Sequence, residues 1–484
     1  MLTRFTPFVF ETAAPEAVGI DRTAIAEFEF AIRERKSAHQ GYMIYKDGKL
    51  VASSIASPYR VTDKRHVYSV SKTWTSTAIG IAVDEGLLSV EDSVISFFPE
   101  LLPEKISDNL AKMKVKHLLS MNTGHQNDTF GRIATSEPEW ARRFLALEVE
   151  KEPGTHFCYN TTATYMLSAI LTKLTGLRMT EYLRPRFFNP LGIDGVWWDE
   201  SPEGIDFGGW GIHVSAEDML KLGVLYLNKG MWNGKRILSE EWISEATSAV
   251  SDNSMRKEPD WRVGYGYQIW RCQHNSYRAD GAYGQYIIVS PEKNCVTVLI
   301  SELGGVIGGS MQDLMDLYWD KIYSTISDGP IPMKLIECDI SAHPFMEIPQ
   351  GQSAVPSRKI KLKDNPYCIS ALEAAPCDGG LSLKITGSDT HSTQLVCGYG
   401  KWEYNKVIHC PIRPYLGQLD DGEIGGPAEI AASYASCGDK LIVALDFVTS
   451  PHGMTLTISD NEVVIDPTIA VAATSVAITE KSEI

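Results

Sequence analysis

His66-Val67-Tyr68-Ser69-Val70-Ser71-Lys72-Thr73-Trp74 places a serine and a lysine three residues apart at the start of a helical pattern. Residues at that spacing share one helix face, so the Ser69 hydroxyl and the Lys72 amine can meet. A serine hydroxyl is a poor nucleophile at neutral pH. A lysine that is desolvated or crowded by other donors can be neutral and take its proton. The pair points to acyl transfer through a serine. The tetrapeptide alone carries little weight, because an N-cap serine beside a snorkelling lysine needs no chemistry. Ser254-Met255-Arg256-Lys257 has the same spacing in a polar run ending at Pro259 with no helix after it, and reads as a solvated loop.

The surroundings of Ser69 set it apart. Before it, Gly41-Tyr42-Met43-Ile44-Tyr45 and Leu50-Val51-Ala52 flank Lys46-Asp47-Gly48, a hairpin with an Asp-Gly turn. After it, Trp74, Ala78, Ile79, Ile81 and Ala82 fall at helical spacing, closed by Gly86. A serine in the first turn of a buried helix gains from the helix dipole and can sit on a cleft floor.

A second cluster, Glu152-Pro153-Gly154-Thr155-His156-Phe157-Cys158-Tyr159-Asn160-Thr161, opens with a Pro-Gly turn and leads into a helix through Ile170, Leu171 and Leu174 to Gly176. A tyrosine phenol near a lysine ammonium can have its pKa lowered and relay a proton to a leaving group, which marks Tyr159; a satisfied core tyrosine is the plainer alternative. Tyr226-Leu227-Asn228, at the end of an amphipathic helix starting near Ala216, reads as packing. The third cluster is Tyr277-Arg278-Ala279-Asp280-Gly281-Ala282-Tyr283-Gly284, leading into strands Tyr286–Val289 and Val296–Ile300. Glycines there let backbone approach a bound acyl group, and one N–H with that of Ser69 would form an oxyanion hole.

Taken together, the three clusters resemble the serine β-lactamase-related family that includes class C β-lactamases, D-alanyl-D-alanine peptidases and family VIII-type esterases. Val115-Lys116-His117-Leu118-Leu119-Ser120, Pro190-Leu191-Gly192-Ile193 and Gly209-Trp210-Gly211-Ile212-His213 fit the same pattern, and the similarity runs in consistent order over roughly residues 15 to 325. The resemblance implies an α/β, β-lactamase/transpeptidase-like fold: an antiparallel sheet flanked by helices, with a helical subdomain. It also implies Ser69 as acylated nucleophile, Lys72 as its proton acceptor and Tyr159 as proton relay, with Thr161, Asp280, Gly281 and Ala282 facing the substrate.

Two departures bear on the substrate. The family's second motif is usually Tyr-x-Asn, and here Thr161 holds the asparagine position; a hydroxyl cannot reproduce an amide's paired donor and acceptor. The third motif is commonly Lys-Thr-Gly or His-x-Gly, and Ala279-Asp280-Gly281 lacks the basic residue; an ungapped register would put Ser276-Tyr277-Arg278 there instead. Esterase, amidase or peptidase-like chemistry on a small substrate is therefore expected over efficient β-lactam hydrolysis. A catalytically weak binding or regulatory protein, and an acyltransferase using the same acyl-serine, are the alternatives.

With 484 residues, 44% hydrophobic and 22% charged, the chain has the composition of a globular protein and the length for more than one domain. Its net charge of -16 argues against nucleic-acid and anionic-membrane partners. The first residues lack a signal-peptide layout, no apolar run reaches membrane-spanning length, and nine cysteines without a Cys-x-x-Cys pair suit reduced thiols, so a cytoplasmic enzyme is expected. Eleven scattered histidines give no metal signature, and no cofactor is expected; His125 and His213 read as packing or hydrogen-bonding residues near the cleft. A Gly-x-Ser-x-Gly elbow is also missing.

A helix is expected over Arg22–Glu34, and a mainly helical middle up to about Glu245. Strands should return near Gly264, before a helix around Met311–Ile326. Composition changes at Ser327-Asp328-Gly329-Pro330, where turn residues and short β-prone runs take over. We read residues 1–328 as the serine hydrolase domain and 329–484 as an all-β barrel or sandwich. That module holds six of the nine cysteines and no catalytic cluster. An inert scaffold is its default reading, with cleft cover or self-association as alternatives, and the tail from Ala470 reads as partly ordered.

Overall fold

Asp47 and Gly48 take φ of 49° and 86°, as a two-residue hairpin turn requires. They join His39–Lys46 to Lys49–Ile55, the first two strands of the sheet. This is a computed structural model, and it describes residues 5, 7–34, 39–134, 137–303, 310–333, 346–412, 427–468 and 474–482. The sheet order is Lys49–Ile55, His39–Lys46, Cys295–Ser301, Gln285–Ser290, Tyr277–Gly281 and Trp270–Arg271, antiparallel throughout. Segments from the two ends of the N-terminal part thus share one sheet, Met43 opposite Val298 at its centre.

Both faces of this sheet are covered, so its inner strands are apolar at successive positions instead of alternating with polar ones. Ile287, Val289, Val296 and Val298 face one core, which includes Trp74 and Ile79 of the helix Ser71–Asp84. Gly223, in the helix Ala216–Leu227, lets that helix rest on Val296 and Ile287. Tyr286, Ile288 and Leu299 face the other core, covered by the helices Arg22–Glu34 and Met311–Leu317.

The helix after the first motif is Ser71–Asp84, preceded by a tight 3₁₀ turn over Tyr68–Val70. Ser69 therefore lies in the turn ahead of the helix proper, not in its first α-helical turn. The second motif leads into the helix Thr161–Thr175, ended by Gly176 in a left-handed conformation.

The C-terminal region is a barrel. Nine strands close into a ring, the seam being a parallel pairing of Gly398 and Tyr399 with Ser433 and Tyr434. A further strand, Glu403–Val407, pairs with the first half of Ala428–Cys437. Leu372, Leu383, Ile385, Val443, Leu456 and Ile465 fill the interior, their alternation with outward residues following the pleat. Closure, which a sandwich would not provide, removes the open edges. Within the tail, Thr474–Ser482 is a strand bonded to both Arg358–Leu362 and Glu462–Pro467. None of the eight described cysteines is in a disulfide; Cys338 lies outside the described residues. Among the described residues, no helix is long and apolar enough to cross a membrane.

Candidate active site

From Arg65 to Ala82 every residue is buried except Ser69. A helix buried on every face is an interior helix, and here the turn before it lifts one hydroxyl out of the core. Lys72, 1% exposed, places Nζ 2.9 Å from Ser69 Oγ and donates to the Gly209 carbonyl at 2.8 Å. A Cβ on Gly209 would lie 2.7 Å from the Thr161 carbonyl, so a bare backbone is needed to wedge between the two motif helices.

Burial pushes the Lys72 amine down to about 7, with Asp128 and Asp280 opposing the shift. A large share of Lys72 is therefore the free amine at neutral pH, able to accept the Ser69 proton. Nζ also sits 4.7 Å from the centre of the Tyr159 ring. Tyr159 differs from its sequence reading. Its phenol is pushed well above the ordinary value by desolvation, which outweighs a hydrogen bond with Ser69. Packing against Trp270, ring centres 5.4 Å apart, accounts for part of that desolvation. Tyr159 thus carries its proton at neutral pH, and Lys72 is the member of the pair whose neutral form is favoured.

Thr161 closes the approach to its helix by donating to Asp128, from its backbone N–H to Oδ1 at 3.1 Å and from Oγ1 to Oδ2 at 3.3 Å. Asp128 went unnoticed in the sequence, where it is one polar residue in a loop. Here it caps the second-motif helix from outside and raises the Lys72 pKa. Asp280, expected to face substrate, forms an ion pair with fully buried Arg278, Nη2 to Oδ2 at 2.6 Å. The two are on alternate positions of one strand and so share a face. Arg278 is held in turn by the Asp260 carbonyl at 2.7 Å and by the Trp261 ring.

Gly281 lies directly against the turn that carries Ser69. A Cβ there would come 2.4 Å from the Val67 carbonyl. The Asp280-Gly281-Ala282 end of the strand is therefore the end beside Ser69, whereas Ser276 bonds Ser290 Oγ at 2.9 Å at the other. Gln268 was also missed. Its carbonyl accepts from Thr73, its Oε1 from Thr164, and its Nε2 donates to the carbonyls of Leu118 and Leu119, joining three helices behind the site.

Of the two histidines, His125 bonds Thr123 Oγ1 at 2.8 Å, and His213 stacks on Trp197 with Nε2 3.3 Å from Asp199. The loop holding the rejected Ser254–Lys257 match supplies one residue to the neighbourhood. The Arg256 guanidinium lies over Trp270, 5.2 Å from the ring centre, and lowers the pKa of Tyr159 and Asp280. Folding also gathers Asp389, His391 and His409 on the barrel surface, both rings closing on Asp389 Oδ2 at 3.2 and 2.9 Å. Exposed groups of this kind are common without an ion.

A serine on a tight turn, bonded to a buried lysine in the first turn of the helix that follows and set beside the end of an antiparallel sheet, defines the β-lactamase/transpeptidase-like fold. A family model described as Beta-lactamase matches residues 33–310. The chain belongs to that family. It is 23% identical over 313 residues to the 6-aminohexanoate-dimer hydrolase of Paenarthrobacter ureafaciens, covering 60% of this chain and 79% of that one. EstCE1, described as a hydrolase with promiscuous acyltransferase activity, superposes with a TM-score of 0.53 at 17% identity, over 62% of this chain and 99% of its own. The octameric penicillin-binding protein homologue of Pyrococcus abyssi superposes with a TM-score of 0.50 at 17% identity over 94% of this chain and 98% of its own, so the likeness reaches into the barrel.

Proposed function

We propose that the protein cleaves small amides or esters through an acyl-enzyme on Ser69, residues 1–328 carrying the chemistry and 329–484 forming the barrel region. The observation that carries this reading is the 2.9 Å separation of Lys72 Nζ from the one accessible residue in an otherwise buried stretch. In acylation, Lys72 takes the Ser69 proton as Oγ adds to the substrate carbonyl carbon. The developing oxyanion accepts from the N–H groups of Ser69 and Ala282. Tyr159 then gives its proton to the leaving nitrogen or oxygen as the C–N or C–O bond breaks, and is reprotonated from Lys72. Water then adds to the acyl carbon, its proton passing to Lys72 and from there to Ser69 Oγ as the acyl–oxygen bond breaks, which frees the acid.

The hydrolase of the 6-aminohexanoate dimer supports an amide or ester as substrate. The acyltransferase activity named for EstCE1 supports a second reading, in which an alcohol or amine takes the place of water. Product analysis with and without an added acceptor separates the two. The primary test is intact-mass analysis after incubation with a fluorophosphonate, followed by mapping of the modified peptide. One adduct per chain at Ser69, lost in Ser69→Ala, is expected; folded protein that takes up no label would overturn the reading.

Two substitutions test the cleft walls. Gly281→Ala forces a Cβ into the Val67 carbonyl, so the oxyanion donors must shift apart. Misplacement on the order of 1 Å costs about 10²-fold in rate, and a fall of that size in kcat is expected, while unchanged kcat would remove Gly281 from the site. Arg256 is a cation beside the cleft of a chain with net charge -16. A charge-assisted bond to a substrate carboxylate contributes about 1.5–3 kcal/mol. Arg256→Gln should therefore raise KM about 10-fold or more for an acid-bearing substrate and leave a neutral analogue unchanged. Equal effects on both would exclude a carboxylate subsite at Arg256.

A further inference from the structure

The barrel sends one turn into the catalytic part, and four successive residues of it are bonded there. His66 N–H donates to the Thr449 carbonyl at 2.9 Å, Arg65 Nη2 to Ser450 at 3.3 Å and Gln40 Nε2 to Pro451 at 2.5 Å. His452, fully buried, follows with Nε2 2.6 Å from the Tyr68 hydroxyl and Nδ1 2.7 Å from Glu302 Oε1. Tyr68 directly precedes Ser69. Tyr283, the residue after Ala282, packs edge-on against both Tyr68 and His452, ring centres 5.0 Å away in each case. Both tyrosines have left-handed backbones, φ 49° and 65°, a conformation that side-chain-bearing residues hold only where surrounding contacts impose it. Each sits next to one of the two proposed oxyanion donors. The Tyr283 carbonyl also accepts from Leu303 N–H at 2.9 Å, which ties the same loop to the neighbour of Glu302.

We propose that His452 and Glu302 are positioning residues of the acylation site, and that the Thr449–Gly453 turn of the barrel holds Tyr68 and Tyr283 so that the Ser69 and Ala282 N–H groups converge on the oxyanion. The proposal rests on the acyl-Ser69 reading and adds to it that the barrel completes the site. Burial raises the Glu302 carboxyl and lowers the His452 ring, which favours the neutral pair over an ion pair. Glu302 O–H then donates to Nδ1, and Nε2–H donates to the Tyr68 oxygen. Glu302→Gln supplies an N–H at the same point, whereas Glu302→Leu supplies none, and that difference gives the test its internal control.

In the full-length protein, the second-order rate constant of fluorophosphonate labelling is measured with kcat and KM on an ester the enzyme turns over, alongside thermal unfolding. Tyr68→Phe removes a single oxygen and should lower the labelling constant and kcat about 10-fold to 100-fold, with KM within about 2-fold. Glu302→Leu should do the same, the double variant should be no slower than the worse single one, and Glu302→Gln should stay within about 3-fold of wild type. A folded Tyr68→Phe with wild-type labelling and kcat overturns the proposal, and so does one whose only change is a lower Tm. That result with normal labelling of wild type at Ser69 leaves the acyl-enzyme reading intact, whereas unlabelled wild type removes both. Should Glu302→Leu fail to fold, Tyr68→Phe decides alone.

Discussion

Ser69→Ala is expected to leave a folded protein with no covalent adduct and turnover about 10⁴-fold or more below wild type. Removing the nucleophile of a working acyl-enzyme leaves only binding and oxyanion stabilisation, and losses of about 10⁶-fold are known where the machinery is fully developed. The change is small for the fold. Ser69 is the accessible member of a buried stretch, and its side chain bonds only within the cleft. Stability should move by less than about 0.5 kcal/mol, as for surface substitutions generally. The measurement is steady-state kinetics beside circular dichroism on both proteins. Activity within about 10-fold of wild type would exclude an acyl-Ser69 route.

Lys72→Met should lower kcat/KM by about 10²-fold to 10⁴-fold, the range ascribed to a positioned general base. The more telling part is the pH profile. Lys72 titrates at about 7, and only its amine form has a lone pair for the Ser69 proton. For an uncharged ester, wild-type kcat/KM should rise with pH up to about 7 and level off above it, and the variant should lack that limb. Stability carries the same signature. The unfolded lysine holds its proton up to about 10.5, and the folded one releases it near 7. Between those values the unfolded chain binds more protons, so wild-type stability rises with pH relative to Lys72→Met. A variant that keeps the acid limb would show that some other group titrates.

What could be read in advance was what local pattern controls. The Asp-Gly hairpin, the Arg22–Glu34 helix, the helix from Ala216 and the strand pair around Pro291 each depend on a few adjacent residues, and each stands where its pattern put it. The Ser-x-x-Lys pair was legible because three residues of helical rise bring two side chains together wherever the segment lies. What the sequence left out are partners set by the fold. The Tyr159 phenol is raised by burial, with Trp270 packed against its ring, and no spacing reveals it. Asp280 is taken by Arg278, two positions back, because a strand puts both on one face. The tail, rich in Ala, Thr and Ser, offered a weak β signal, and its strand exists because Arg358–Leu362 presents a free edge to it. Arg256 belongs to a loop correctly read as solvated and still reaches Trp270. His452 could not be connected to Tyr68 from sequence at all, since 384 positions separate them.

The closing strand of the barrel also sets an order of events during synthesis. Thr474–Ser482 is the last described strand to leave a ribosome, and it seals the ring against the barrel's first strand. At about 5–20 residues per second, the Ser–Lys helix emerges tens of seconds earlier. A nascent chain therefore holds its reactive pair before the support from His452 exists. On the proposal above, chemical competence arrives late, with the ring shut, and the half-made protein does not spend that interval acylating itself on whatever the cell offers. A message cut short within that strand would yield a chain with every motif present, two raw β edges exposed and a strong tendency to aggregate.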